Sequence, residues 1–255
     1  MLRLKNHREI KLLREGGNRL AQIMSELTKE VKPGVSAASL DKLSHSLILN
    51  YGGKPSFLNY KPDFANHAFP ASICVSLNET IVHGIPKKEM IFFEGDIVSL
   101  DLGLCFRGLY TDMAITVGVG KIKPILKKLI KVTKGALGEA IKVSKPGNTL
   151  GDIGYAIETY VLKNGFYIIK DLSGHGVGYK CHEEPPVFNY GNQKEGLILQ
   201  PGMVLAIEPM VAIGCSEIKE KEDGSFITAC NQPAAHFENT IAITKNKPIV
   251  LTSIL

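Results

Sequence analysis

The feature that most constrains this chain is an order of elements that occurs twice. Ile10, Leu13, Leu20, Met24, Leu27 and Val31 recur at helical steps on one face, and that helix stops at Lys32-Pro33-Gly34. Proline cannot continue a helix, and glycine permits the turn that follows. A second helix is predicted to start near Ser39 as its cap, to carry Leu40, Leu43 and Leu47 inward, and to end at Gly52-Gly53. The order then returns. A helix through Ile125, Leu129, Val132, Ala136 and Ala140 reaches Lys145-Pro146-Gly147, and another with Leu150, Ile153, Ile157 and Val161 ends at Asn164-Gly165. The Lys-Pro-Gly triplets lie 113 residues apart and the helix-ending pairs 112. Each helix pair leads into strand-like sequence. The expectation is an α+β fold of two similar halves sharing one core. With no linker or low-complexity segment to divide it, the whole of residues 1–255 is predicted to be a single domain.

The strands carry unusual charges. Residues 95–104, GDIVSLDLGL, alternate, with Val98, Leu100, Leu102 and Leu104 on one face and Ser99 and Asp101 on the other. In residues 109–119, Met113, Ile115 and Val117 oppose Asp112. A tight turn at Phe106-Arg107 would make Asp101 and Asp112 direct cross-strand neighbours, about 5 Å apart at Cβ. Like charges so placed destabilise a sheet unless one is protonated, both are solvated at an edge, or cations lie between them. For these two alone, solvation is the ordinary explanation. Further carboxylates weigh against it. Glu208 closes a buried-looking strand in GMVLAIEPM and precedes Pro209, which favours an extended backbone; Glu238 falls inside the strand expected over residues 234–244. His175, flanked by glycines in SGHGVGYKCHEEPP, completes the group. Four carboxylates and one imidazole form an oxygen-rich ligand set suited to a pair of divalent cations about 3.5–4 Å apart, unlike a closed thiolate zinc site.

Composition excludes several classes. Hydrophobic residues make up 44% and charged residues 22%, as in ordinary globular proteins. No apolar run approaches the roughly 20 residues of a membrane helix. Charges throughout the first seventeen residues argue against a signal peptide, so a cytoplasmic location is expected. The five cysteines are odd in number and form no C-x-x-C, which predicts reduced thiols rather than disulfides. The net charge of +5 is densest over residues 121–134. A solvated lysine face on a core-packed helix is the expected reading, with docking on RNA or a ribosomal surface as the weaker one.

In order and spacing, Asp101, Asp112, His175, Glu208 and Glu238 resemble the metal cluster of the methionine aminopeptidases. HGIP (83–86) and GHGVGYKCHEEP (174–185) narrow the resemblance to type I. It spans nearly the whole chain. It implies the pita-bread fold, two pseudo-symmetric halves around a twisted, mainly antiparallel sheet with outer helices, and the hydrolytic removal of initiator methionine from nascent proteins and peptides. By the same resemblance Asp101 and Asp112 bind metal, Asp112 and Glu238 bridge two ions, and His175 and Glu208 complete the coordination of one. The cofactors implied are two divalent cations, Co, Mn, Fe(II) or Zn, with a bridging water as nucleophile. Glu208 is also the implied proton shuttle. His83 and His182 resemble the family's substrate-facing histidines, at the scissile amide nitrogen and the carbonyl oxygen. Phe69, Cys74, His83, Cys181 and Phe226 are expected to wall the methionine pocket. The implied partners are nascent polypeptide N-termini and Met-peptides, with weak ribosome association, no membrane, no sequence-specific nucleic acid and a monomeric state.

The pattern lacks a zinc-binding extension ahead of the catalytic region and a long insertion between His175 and Glu208, which points to the bacterial form. It also departs from its family. The segment 58–74 is longer than usual, Cys181 stands where an aromatic residue is common, Asn239 replaces a histidine, and AHFE replaces AQFE or AQYE. None of these removes a ligand; all bear on side-chain preference and rate. Two rivals share the fold: a proline-directed (Xaa-Pro) metallopeptidase, and a catalytically silent peptide- or RNA-binding module. The first commonly carries an additional N-terminal domain, for which residues before 60 leave little room. The second typically loses ligands, and here all five are present.

Overall fold

Asn6 starts the first helix, α1 (His7–Lys29), with a reciprocal cap. Its side-chain oxygen accepts from the Glu9 N–H at 3.0 Å, while the Glu9 carboxylate accepts from the Asn6 N–H at 2.8 Å. The computed structural model describes residues 2–61 and 67–253. After α1 come α2 (Ala37–Asn50) and the strands β1 (Lys54–Pro55), β2 (Cys74–Leu77), β3 (Thr80–Val82), β4 (Ile97–Phe106) and β5 (Leu109–Gly118). The second half opens with α3 (Pro124–Val143) and α4 (Leu150–Lys163), then β6 (Tyr167–Ile168), β7 (Ser173–Gly176), β8 (Glu183–Phe188), β9 (Val204–Ile207) and β10 (Met210–Ala212). It closes with β11 (Ile218–Glu220), β12 (Phe226–Thr228), β13 (Ala234–His236), β14 (Asn239–Ala242) and β15 (Ile249–Val250).

The internal repeat is real, and its period is 113 at the second helix of each half. α2 and α4 are both 14 residues long, with starts and caps, Ser36 and Thr149, 113 residues apart. The cap of α2 is thus Ser36, not Ser39, whose N–H instead donates to the Ser36 hydroxyl at 3.3 Å. The glycines that close the two helices in a left-handed conformation are Gly52 (φ +73°) and Gly165 (φ +81°), which restores the same offset.

Helices cover the outside of each half. α1 and α2 lay Leu20, Met24, Leu27 and Leu40 on Val98, Leu100, Leu102 and Leu104 of β4, and Val31 joins that core from just past the helix end. α3 and α4 lay Leu129, Val132, Ile153 and Ile157 on Leu205, Ile207 and Ile241. On α3 the first core residue is Leu126, while Ile125 is 46% exposed. Lys127, Lys128, Lys131 and Lys134 of that helix face solvent, as the amphipathic pattern requires. Among the described residues no helix is long and apolar enough to cross a membrane.

The paired strands are antiparallel, and β5 stitches the two halves together. The Glu238 N–H donates to the Ala114 carbonyl at 2.9 Å, and the Asp112 N–H donates to the Thr240 hydroxyl at 2.8 Å. This junction buries the face of β4 and β5 that the alternation marks as polar. Ser99 and Thr116 bond through their hydroxyls at 2.7 Å, both buried.

Three expectations are corrected here. Phe106 pairs with Leu109, so the hairpin turns at Arg107-Gly108, both at positive φ (+50° and +81°). Two successive left-handed residues make the tight turn whose twist matches the strands. Asp101 therefore faces Ala114, and Asp112 faces Gly103. The aspartates are diagonal neighbours on one face, not directly opposed. Residues 234–244 form two strands in different sheets, β13 and β14, and Glu238 lies in the joint between them. Finally, Cys215 and Cys230 form a disulfide, with Cα atoms 6.2 Å apart; Cys74, Cys105 and Cys181 are free thiols. The chain ahead of β11 and behind β12 is thereby tied across 15 residues, a proximity created by the hairpin and invisible in the spacing.

Candidate metal centre and peptide site

Backbone pairing brings the five expected ligands together. β7 aligns His175 with Ala206, two residues before Glu208, so both side chains leave the sheet on one face. His175 Nε2 and Glu208 Oε1 are 3.6 Å apart. β9 and β14 pair Ile207 with Asn239, which sets Glu208 and Glu238 side by side just beyond the ladder. One ligand atom each from Asp112, His175 and Glu238 lies within 4.8 Å of the others. Asp101 completes the group beside Asp112. The glycines around His175 serve close approach: a Cβ on Gly174 would stand 2.3 Å from the Ala206 carbonyl oxygen, and one on Gly176 equally close to that of Glu184.

Among the described residues no lysine or arginine pairs with the carboxylates of this cluster; only His175 and His236 approach one of them. Burial first, then the Glu208 carboxylate, raises Asp112 from 3.8 to about 7; burial raises Glu208 from 4.5 to about 7 against the pull of His175. Asp101 and Glu238 are also pushed up, by burial and then by neighbouring carboxylates. Asp101 Oδ1 and Glu238 Oε1 are buried without a hydrogen-bond partner. Orphaned carboxylate oxygens aimed into a shared space are costly unless a cation takes them, and a hard or borderline dication fits this donor set.

His83 and His182 stand at the open side, both solvent-accessible. Desolvation of the otherwise enclosed ring, and then nearby His236, lowers His83 from 6.5 to about 4; desolvation, then His175 and His83, lowers His182 to about 3. Both are neutral imidazoles at pH 7. His83 holds a left-handed backbone (φ +58°), a strained conformation for a non-glycine residue. The neighbouring Gly84 makes it feasible, since a Cβ there would lie 2.1 Å from the Val75 carbonyl oxygen.

The pocket residues divide. Cys74 pairs across the sheet with Asp101, and Cys74, Cys181 and Phe57 form one buried apolar cluster lined by Tyr60, Phe69 and Tyr110. Phe226 belongs to a different cluster, with Ile81 and Val82, and its ring meets that of His83 at 5.7 Å. Part of the long 58–70 segment, residues 62–66, lies outside the described residues. Sequence reasoning missed Tyr60, whose hydroxyl is 2.8 Å from His182 Nδ1, and Phe57, edge-on to Phe69 at 6.4 Å. It also passed over His236. That ring is 1% exposed, both its nitrogens lack a hydrogen-bond partner, and Nε2 is 3.2 Å from Glu208 Oε2. The available signal was the AHFE departure itself.

A fold of two repeated halves with buried, unneutralised carboxylates at their seam is that of a pita-bread metallopeptidase. The model of the Metallopeptidase family M24 matches residues 11–245. The methionine aminopeptidase of Aquifex aeolicus is 43% identical over 256 residues, covering 99% of each chain. The crystal structure of methionine aminopeptidase from Thermotoga maritima superposes with a TM-score of 0.95 at 41% identity, over 99% of this chain and 100% of that one. The prolidase from Pyrococcus furiosus shares the fold alone, with a TM-score of 0.78 at 22% identity, over 98% of this chain and 65% of that one. The chain belongs to the methionine aminopeptidase family of the M24 metallopeptidases, a family whose name implies a divalent metal.

Proposed function

We propose that the removal of methionine from protein N-termini is performed here at a dinuclear centre held by Asp101, Asp112, His175, Glu208 and Glu238. The convergence of these buried and half-buried groups, with oxygens of Asp101 and Glu238 unpartnered, is the observation that carries the reading. Divalent cations held by these five residues would supply a water-derived nucleophile near neutral pH and Lewis acidity toward the scissile carbonyl. The remaining work falls to side chains. Glu208, set between His175 and His236, takes the nucleophile's proton and passes it to the leaving amine. His182, steadied by the Tyr60 hydroxyl, donates to the carbonyl oxygen, and His83 orients the scissile amide nitrogen. Both are neutral, so each offers one N–H and one lone pair. The thioether of methionine lies in the cluster of Phe57, Phe69, Cys74 and Cys181, where polarizable and aromatic walls suit it.

The same reading has the chain acting as one catalytic unit and a monomer in the cytoplasm. Weak ribosome association would run through the exposed Lys127, Lys131 and Lys134 of α3, and Lys-to-Glu changes that leave its salt dependence untouched would remove that part. The central test compares Met-Gly and Xaa-Pro peptides after reconstitution with each metal under anaerobic conditions. Cleavage of the Met-peptide alone, with at least two metals per chain by elemental analysis, is expected. A folded, metal-replete protein inert towards Met-peptides would overturn the proposal.

A further inference from the structure

Beside the carboxylate centre lies a second donor set of different chemistry. One ligand atom each from Asp112, Cys181 and His182 falls within 4.8 Å of the others. Cys181 is buried (4% exposed), and its Sγ is 4.0 Å from Asp112 Oδ2. The Tyr60 hydroxyl both donates and accepts, so it holds the His182 ring in either tautomer and leaves that ring free to ligate. We propose that Asp112, Cys181 and His182 form an accessory cation position, abutting the main centre, that takes a thiophilic dication such as cadmium or zinc.

The geometry is close to what such an ion needs. Tetrahedral bonds of about 2.3 Å to sulfur and 2.1 Å to oxygen put those donors about 3.6 Å apart. Cys181 Sγ and Asp112 Oδ2, now 4.0 Å apart, therefore close by about 0.4 Å. A dication takes the sulfur as thiolate: the S–H bond breaks as the sulfur–metal bond forms, and the proton leaves to solvent with no change of oxidation state. Two consequences follow. Sulfur selects softer ions than the oxygen-rich centre does. An ion held there also withdraws His182 from the substrate and fills one side of the pocket, so occupancy inhibits.

The test titrates metal-free protein with cadmium alone, in the absence of thiol reductant so that Cys215–Cys230 stays closed. A sulfur-to-cadmium charge-transfer absorption is expected in the wild type and in Cys74→Ser. It should be absent from both Cys181→Ser and Cys181→Ala, each binding one cadmium fewer per chain. No band in the wild type, its retention in either Cys181 variant, or its loss in Cys74→Ser overturns the assignment. The five-ligand centre and the peptidase reading survive any of those results, because none of the five is altered.

Discussion

Lys5 should be worth far more than its place in a chain terminus implies. Its Nζ is 2.6 Å from Glu183 Oε2, and the two side chains are only 2% and 11% exposed. The other Glu183 oxygen accepts from the N–H groups of Tyr179 and Lys180. Glu183 thus closes the turn that contains Cys181 and His182, and Lys5 fastens it to the start of α1. The lysine stem lies against Gly178, where a Cβ would be 2.4 Å from Lys5 Cε, and Arg3 stacks on the Tyr179 ring at 3.8 Å. Replacing one member of a buried pair costs about 3–5 kcal/mol, because the other charge stays buried. Lys5→Met keeps the stem volume and leaves Glu183 its two backbone donors, so the low end, about 3 kcal/mol, is expected. At about 2.1 cal/mol/K per residue, 255 residues unfold with roughly 0.5 kcal/mol/K, so Tm falls by about 6 °C. Glu183→Gln should cost about as much, and the double variant less than the sum, with a coupling of at least about 1 kcal/mol. Loosening the turn also displaces His182, and kcat/KM for a Met-peptide at saturating metal should fall at least about tenfold. Calorimetry and peptide hydrolysis on the four proteins decide it. Singles within about 1 kcal/mol of wild type, with kcat/KM intact, would mean that the pair behaves as an exposed one and anchors nothing.

Other consequences are checked more briefly. The metal-free protein should lose stability as pH rises from about 6.5 to 8. Asp112 and Glu208 stand near 7 when folded and near 4 when unfolded, so the folded state holds their extra protons and their share of the loss is complete above about pH 7; Asp101 and Glu238 add to it in the same direction, while the lowered His83, His182 and His236 oppose it only below their ordinary 6.5. Scanning calorimetry should show the lower Tm at pH 8 and its recovery on adding a divalent cation; a Tm that does not depend on pH refutes the picture of crowded charge. His236→Ala should weaken metal binding by about 10- to 100-fold in titration calorimetry, with His236→Gln recovering much of it by donating to Glu208 from its amide; equal affinities in all three would make His236 a packing residue. Gly84→Ala drives a methyl into the Val75 carbonyl and should lower kcat more than it lowers metal affinity, because it moves His83 and none of the five proposed ligands; unchanged kcat would show that the His83 backbone has slack.

The parts of the centre legible in the sequence are those that depend on parity, and the parts that were not depend on contact. Placing the hairpin turn at Phe106-Arg107 instead of Arg107-Gly108 shifts the register by two, which changes every cross-strand partner and no side chain's face. Asp101 and Asp112 therefore remain together on one face, although each faces a different residue from the one expected. An error of one would have sent them to opposite sides and dissolved the centre. The helices are robust for a similar reason: a core face of i, i+3, i+4 spacing tolerates the exchange of Ile125 for Leu126 at its edge. Contacts that arise only when distant segments close lack such protection. The Cys215–Cys230 bond, the His236–Glu208 approach and the Tyr60–His182 hydrogen bond each join positions whose spacing has no period to betray it. Alternation hid the key fact about the polar face as well. Polar residues at every second position ordinarily mark the wet side of a sheet, yet Ser99, Asp112 and Thr116 are buried because the second half of the repeat covers them. Duplication is thus what turns a solvated strand face into a site: each half alone would leave its carboxylates in water, and only their apposition creates the crowded charge that a metal resolves.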